Sequence, residues 1–407
     1  LIELFYNRYN SLPTVDELNT IVSSSIGNLD EEEQDELLEI TKLITNISKW
    51  DVRDKVIRDI AGKYLRDVRI NKALLTVAES RDDLPAVIQS LTSAARFELS
   101  TQEMSRFSDL SRLDNAQDIL RKIPLGWDSF DDMTQGGILR PSLMLVVGKP
   151  YSGKTQVLLN LADNLAMSGY QVLYFSMELS NKLLMMRADA AKLGMHYQEL
   201  YLPDNIEKTK DLLKKKLDTT PGDITIIKYP PGTSLNKIKI HCDIYATVYG
   251  PFDILMIDYV GLVVPSTKKD NMHESGKAVA EELITIGEQH DAGVIAAAQT
   301  TKGATSVAVQ DLTEEHIGGS WGLQQVAYDV IMLSKSQKSL LSNKLMCKWV
   351  KNRSGGKLGI NSLYEIPNTF KLTDNVNEMF ELSKQAGINL LPEEVNAVME
   401  SINAESE

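Results

Sequence analysis

Eight residues, Gly148-Lys-Pro-Tyr-Ser-Gly-Lys-Thr155, limit the folds open to this chain more than any other feature. They match G-x-x-x-x-G-K-[ST], with the apolar run Leu143–Val147 before them and the helix-like stretch Gln156–Met167 after them. Strand, glycine-rich turn and helix in that order make a phosphate-binding loop. Gly148 and Gly153 let the backbone curl so that its N–H groups face the β- and γ-phosphates, and the following helix adds its positive end. Lys154 reaches the phosphates, and the Thr155 hydroxyl takes a position on Mg²⁺. Lys149, Ser152 and Gln156 complete the nucleotide-binding set, which implies ATP with Mg²⁺.

Repeated alternation puts this loop in an α/β domain. From Gly126 onward, apolar runs at Leu143–Val147, Val172–Phe175, Ile224–Lys228, Ile254–Ile257, Val294–Ala297, Val330–Leu333 and Leu345–Val350 alternate with helical segments. Near-continuous apolar strands require burial on both faces, so a mostly parallel sheet covered by helices is expected over residues 124–372. The other chemical residues are expected with the phosphate loop at the carboxyl ends of the strands. Residues 1–95 show only helical periodicity, as in Glu31–Ile47 and Val52–Leu74, and read as a small helical domain. Residues 96–123 are mixed and charged and read as a linker with a short helix, either a tether or a segment that docks on a neighbour. Residues 373–407 read as a polar helical tail ending in acidic residues.

Composition narrows the partners. A length of 407 residues suggests two or three domains, and a formal charge of -13 opposes uniform wrapping in nucleic acid while leaving room for a basic channel. Cys242 and Cys347 are far apart and without a Cys/His cluster, so neither zinc nor a disulfide framework is expected. No apolar run approaches membrane-spanning length and no signal-like segment opens the chain, which reads as belonging to the cell interior. The chain starts at Leu1, which leaves its natural start open.

Further stretches carry chemistry. Ile254-Leu-Met-Ile-Asp258 is an apolar strand ending in a carboxylate suited to the Mg²⁺ opposite Thr155. Tyr174-Phe-Ser-Met-Glu178 ends in Glu178, which either accepts a proton from the attacking water or caps the next helix, with Ser180 and Asn181 as rival caps. Val294–Thr300 ends in Gln299, placed to sense the γ-phosphate or to satisfy a turn. Lys302 and Gly303 in the following loop, and Lys268 and Lys269 in Ser266–Ser275, fit contacts to single-stranded DNA phosphates, or are solvated turns. Lys351 and Arg353 stand two apart at a strand end before a glycine turn. That placement suits an arginine finger delivered to another subunit, or a basic surface turn.

In combination these stretches resemble the DnaB-like replicative helicase family in its bacteriophage form, over roughly Gly126 to Leu363. The resemblance rests on Gly126-Trp with Met133-Thr-Gln-Gly-Gly137, the phosphate loop, Phe175-Ser-Met-Glu-Leu179 with Met185-Met-Arg187, Ile257-Asp-Tyr259, the Gln299 strand, Gly318–Asp329, and Lys351-Asn-Arg353. It implies a RecA-like motor domain that hydrolyses ATP, in a homo-hexameric ring around single-stranded DNA with nucleotide sites between subunits. By the same resemblance Glu178 is the general base, Asp258 serves Mg²⁺, Arg187 joins the nucleotide site and Gln299 couples hydrolysis to DNA. Lys351 and Arg353 reach the neighbour's γ-phosphate, and the two basic loops face DNA. Implied partners are a primase and a helicase loader, in the cytoplasm of a phage-infected bacterium. The chain departs from the family pattern at Gly261, at Gln299-Thr-Thr-Lys302 and at Ser320-Trp-Gly-Leu-Gln-Gln325. Two other readings share the loop, a strand-exchange recombinase and an ATP-switched loader. The helical front domain favours the helicase over the recombinase.

Overall fold

The computed structural model describes residues 122–267, 271–301, 307, 309–317, 321–335, 343–388, 390, 395, 396 and 398. The front domain at 1–95, linker residues 96–121, Lys268, Lys269, Lys302, Gly303 and most of the tail beyond 388 lie outside the described residues.

Nine strands form the main sheet: β1 Leu143–Gly148, β2 Gln171–Ser176, β3 Asp223–Lys228, β4 Ile254–Asp258, β5 Gly293–Gln299, β6 Asp329–Ser334, β7 Lys344–Asn352, β8 Gly359–Glu365 and β9 Leu372–Thr373. Their order is β9-β8-β7-β6-β1-β5-β4-β2-β3. The six strands from β6 to β3 run parallel, and β7, β8 and β9 extend the sheet by antiparallel pairing. The described helices are α1 Asp128–Thr134, α2 Lys154–Met167, α3 Asn181–Leu193, α4 Tyr197–Leu200, α5 Ile206–Leu217, α6 Leu235–Val248, α7 Met272–His290, α8 Trp321–Val326 and α9 Val376–Gln385. A short ribbon pairs Lys122–Ile123 antiparallel with Ile138–Leu139, just ahead of β1.

The parallel strands are apolar throughout because alternate residues feed two separate cores. Leu143, Leu145 and Val147 of β1 pack with Leu255, Ile257, Val294 and Ala296, under Ile238 and Cys242 of α6 and Val279, Ala280 and Leu283 of α7. Met144 and Val146 face the other way and pack with Tyr174, Met256 and Ile295 under Val157, Leu158, Leu161 and Leu165 of α2. Each fully buried aliphatic side chain contributes about 1.5–3 kcal/mol relative to exposure, so apolar burial is the main hold on both helical layers. Cys242 and Cys347 are buried and unbridged.

All seven apolar runs are strands. The two unanticipated strands, β8 and β9, lack that signal for a physical reason. Gly359-Ile-Asn-Ser-Leu-Tyr-Glu365 buries only Leu363 and Tyr364 fully, and two residues suffice for β9. Tyr364 and Ile366 then receive Met379 and Val398, so α9 packs beside this outer strand.

Candidate nucleotide site

The ends of β1, β5, β4 and β2 meet at one edge of the sheet. Gly148 is in register with Gln299, and Ser176 with Asp258. The phosphate loop crosses this edge into α2, whose N-cap is Gly153 at φ 94° with no side-chain cap. By contrast, Ser180 caps α3, Ser234 caps α6, Asn271 caps α7 and Asn375 caps α9. The first N–H groups of α2 are thus left for a ligand, in the place where an anion gains most. Ser180 also answers one question about Glu178: the cap of α3 is the serine, accepting from Leu183 N at 3.4 Å.

A phosphate fits what the loop side chains do. Lys154 is 8% exposed and folds its ammonium back onto its own loop, donating to the carbonyl oxygens of Gly148 at 2.9 Å and Lys149 at 2.7 Å. Burial pushes the Lys154 pKa down, while the charges of Asp258 and Glu178 raise it. A desolvated cation resting on neutral carbonyls gains from an anionic ligand. Among the described residues Ser152 Oγ and Gln156 Nε2 have no hydrogen-bond partner although they are buried, as donors awaiting ligand oxygens would be. Tyr151 at the loop crest is fully exposed.

Asp258 sits at the bottom of the site, 1% exposed. Its Oδ2 accepts from the Thr155 hydroxyl at 2.9 Å and from the Tyr174 hydroxyl at 2.9 Å. Burial pushes the Asp258 pKa up, the two hydroxyl donors and Lys154 lower it, and Glu178 raises it. Burial, followed by the charge of Asp258, holds the Tyr174 phenol well above its ordinary range, so it acts as a fixed donor. One hydroxyl and one carboxylate are a fitting donor set for Mg²⁺, which keeps waters and takes its remaining ligands from phosphates. Among the described residues no group of three His, Cys, Asp or Glu side chains could hold a metal by itself.

Glu178 is exposed, two residues past β2, on a loop tied to β4 by Met177 N donating to Asp258 O at 2.8 Å. Its charge acts on Lys154, Asp258 and Lys228. Arg187, on α3, stacks 5.1 Å over the Phe370 ring, and its buried Nε has no partner among the described residues. Gln299 lines a cleft of about 280 Å³ together with Tyr259, Gly261, Ser275, Thr300 and Leu323. The glutamine therefore stands between the phosphate loop and the segment that leads on to residues 302–306.

Lys351 and Arg353 lie elsewhere. β7 runs against β6, so Lys351 is level with Val330 and Leu145, and Asn352 with Asp329 and Met144. The tip after Asn352 is thus at the amino end of β1, opposite the phosphate loop. With four residue steps from Met144 to Gly148, the gap is roughly 13 Å or more at ~3.3 Å per residue. Lys351 Nζ donates to the carbonyls of Gln324 at 2.6 Å and Gln325 at 3.3 Å, at the end of α8. Arg353 is exposed, its guanidinium 5.6 Å over the Tyr328 ring. The expectation that chemical residues gather at one edge of the sheet therefore holds for Lys154, Thr155, Glu178, Asp258 and Gln299 but not for this pair.

Sequence reasoning assigned no role to Tyr174, because a tyrosine in an apolar strand reads as core and nothing local signals where its hydroxyl points. Gly148→Ala tests how tightly the loop is built. A Cβ there would fall 2.1 Å from Ser152 Oγ, so the serine hydroxyl must swing out of its place in the loop. The KM for ATP is expected to rise about tenfold, equivalent to about 1.4 kcal/mol, with little change in melting temperature.

A parallel sheet with an uncapped phosphate loop, a buried strand-end aspartate and a neighbouring glutamate defines a P-loop NTPase with a RecA-like fold. Residues 122–369 match the family described as DnaB-like helicase C terminal domain, and the chain belongs to this family. It is 23% identical over 390 residues to the DnaB-like replicative helicase of Enterobacteria phage T4, covering 88% of this chain and 78% of that protein. It is 26% identical over 242 residues to the replicative DNA helicase DnaC of Bacillus subtilis, covering 59% of this chain and 52% of the relative, about half its length. A solved structure titled as a DnaB-like replicative helicase and its interactions with primase shares the fold, with a TM-score of 0.62 at 17% identity over 90% of this chain and 89% of that one. The family resemblance read from the motifs is borne out, and the recombinase and loader readings are not favoured.

Proposed function

We propose that the chain is the ATP-driven subunit of a ring-shaped replicative helicase that moves on single-stranded DNA and opens duplex at a fork. One observation carries the ring: the phosphate loop and the Lys351–Arg353 tip occupy opposite ends of the same sheet, so the tip serves a neighbour's nucleotide, not its own. A homo-hexamer with sites between subunits satisfies that geometry. Lys154 and the free α2 N–H groups hold the triphosphate, Gln156 and Ser152 donate to it, and Arg187 turns from Phe370 toward it. Thr155 and Asp258 would hold Mg²⁺, which would supply positive charge against that of the phosphates. Glu178 takes the proton of the attacking water, and the neighbour's Arg353, with Lys351 beside it, stabilises the charge on the transferred group.

Gln299 then reports loss of the γ-phosphate to the loops that hold Lys268, Lys269, Lys302 and Gly303, which grip DNA phosphates in the channel. A net charge of -13 is compatible with this, because six subunits each need to supply only a few cations to one channel. Residues 1–95 and 96–123 serve as the assembling front domain and linker, 124–372 as the motor and 373–407 as the tail. The front domain meets a primase, and a loader places the ring on DNA. The T4 relative points to the cytoplasm of a phage-infected bacterium. Among the described residues no helix is long and apolar enough to cross a membrane.

The test is unwinding of a forked duplex with ATP and Mg²⁺, beside Lys154→Ala. Opening by the native chain alone supports the proposal. DNA-stimulated hydrolysis without opening would assign the chain to the loader class.

A further inference from the structure

The turn that carries Arg353 is held by a side chain from the other end of the domain. Lys122, in the ribbon where the chain enters the sheet unit, donates from Nζ to Ser354 O at 2.6 Å, Thr134 O at 2.6 Å and Gln135 O at 3.2 Å. Thr134 ends α1 and Gln135 is its C-cap, and the last turn of α1 has no basic residue of its own. Lys122 therefore supplies the cation that this helix end favours and ties it to the residue after Arg353.

The rest of the turn is fixed to the same place. Asn352 Nδ2 donates to Met133 O at 2.8 Å, and a Cβ on Gly355 would fall 2.1 Å from that same oxygen, so backbone packs on backbone. On the inner side Asp329, 0% exposed, accepts from Ser354 N at 3.1 Å and Ser354 Oγ at 2.5 Å. Ser354 is thus gripped from both sides, by a carboxylate through its N–H and hydroxyl and by an ammonium through its carbonyl.

From this clamp we propose that Lys122 is a positioning residue for Arg353, so that the chain entering the sheet sets the reach of the finger into the neighbouring nucleotide site. The proposal rests on the between-subunit reading of Arg353. It adds a route by which movement of the segment before residue 122 alters hydrolysis in the next subunit without touching the nucleotide. A shift of about 1 Å in a catalytic group costs up to roughly a hundredfold in rate, so a small loosening of the turn is enough.

The experiment measures ATP turnover, ring assembly and thermal melting for the native chain, Lys122→Ala, Lys122→Arg, Asp329→Asn and Arg353→Ala. Lys122→Ala is expected to lower kcat about tenfold or more with the KM for ATP within about twofold, and Lys122→Arg to recover most of the loss. Asp329→Asn, which keeps the shape of the clamp but loses its charge, is expected to lower kcat in the same direction and serves if Lys122→Ala does not assemble. An unchanged kcat for Lys122→Ala in intact rings, or a loss that appears in KM and not in kcat, overturns the role of Lys122. If Arg353→Ala itself turns over normally, the between-subunit reading fails and the proposal fails with it. If Arg353→Ala is dead while Lys122→Ala is native-like, only the clamp is wrong.

Discussion

Arg353→Ala is expected to lower kcat for ATP by about 10³-fold or more, the range in which arginine fingers act, while nucleotide affinity stays near its native value. The asymmetry follows from where the residue stands. Its guanidinium is exposed over Tyr328 and belongs to a turn at the amino end of β1, so its removal leaves Lys154, Thr155 and Asp258 undisturbed in the same subunit. Among the described residues no buried partner loses a hydrogen bond, because the turn is held by Asn352, Ser354 and Gly355. Folding should therefore be preserved, and fluorescent-nucleotide titration beside a turnover assay separates the two effects. Lys351→Ala is a poorer probe, since it also strips a donor from the end of α8.

Glu178→Gln is expected to reduce kcat by about 10²–10⁴-fold, the usual worth of a positioned general base, with ATP still bound. Glutamine keeps the shape and the polarity but cannot accept the proton. Glu178 is exposed, is not the cap of α3, and sits on a loop anchored to Asp258 by one backbone hydrogen bond, so the substitution places no demand on the fold. Its charge also raises the pKa of Asp258, and removing it leaves Asp258 more readily ionised at the Mg²⁺ position. Rapid-quench measurement of a single turnover reads the chemical step directly. Native turnover by Glu178→Gln would remove it from the mechanism.

Much of the motor was legible because it is built from local signals. The phosphate loop is contiguous, strand periodicity is local, and each strand-end residue is marked by the apolar run before it. What escaped depends on pairs distant in sequence. Tyr174 earns its role only because its hydroxyl meets Asp258, 84 positions away. Lys122 reads as one more charge in a linker until its ammonium is seen on Ser354, 232 positions away. The outer strand β8 went unread because a sheet margin buries too few of its residues to write a continuous apolar run. Lys351 and Arg353 were recognisable as a pair, but their distance from the phosphate loop follows only from the antiparallel direction of β7, which no motif records.

In the proposed ring each nucleotide site is shared between two subunits. Mixing two inactive variants tests it most directly: Lys154→Ala, with a dead phosphate loop and an intact finger, and Arg353→Ala, with the reverse. Rings assembled from both contain interfaces that join the intact loop of one to the intact finger of the other, and ATP hydrolysis is expected to return above the level of either variant alone. Mixed rings that remain as inactive as their parents, or an isolated native monomer that hydrolyses ATP at the full rate, would contradict the shared site.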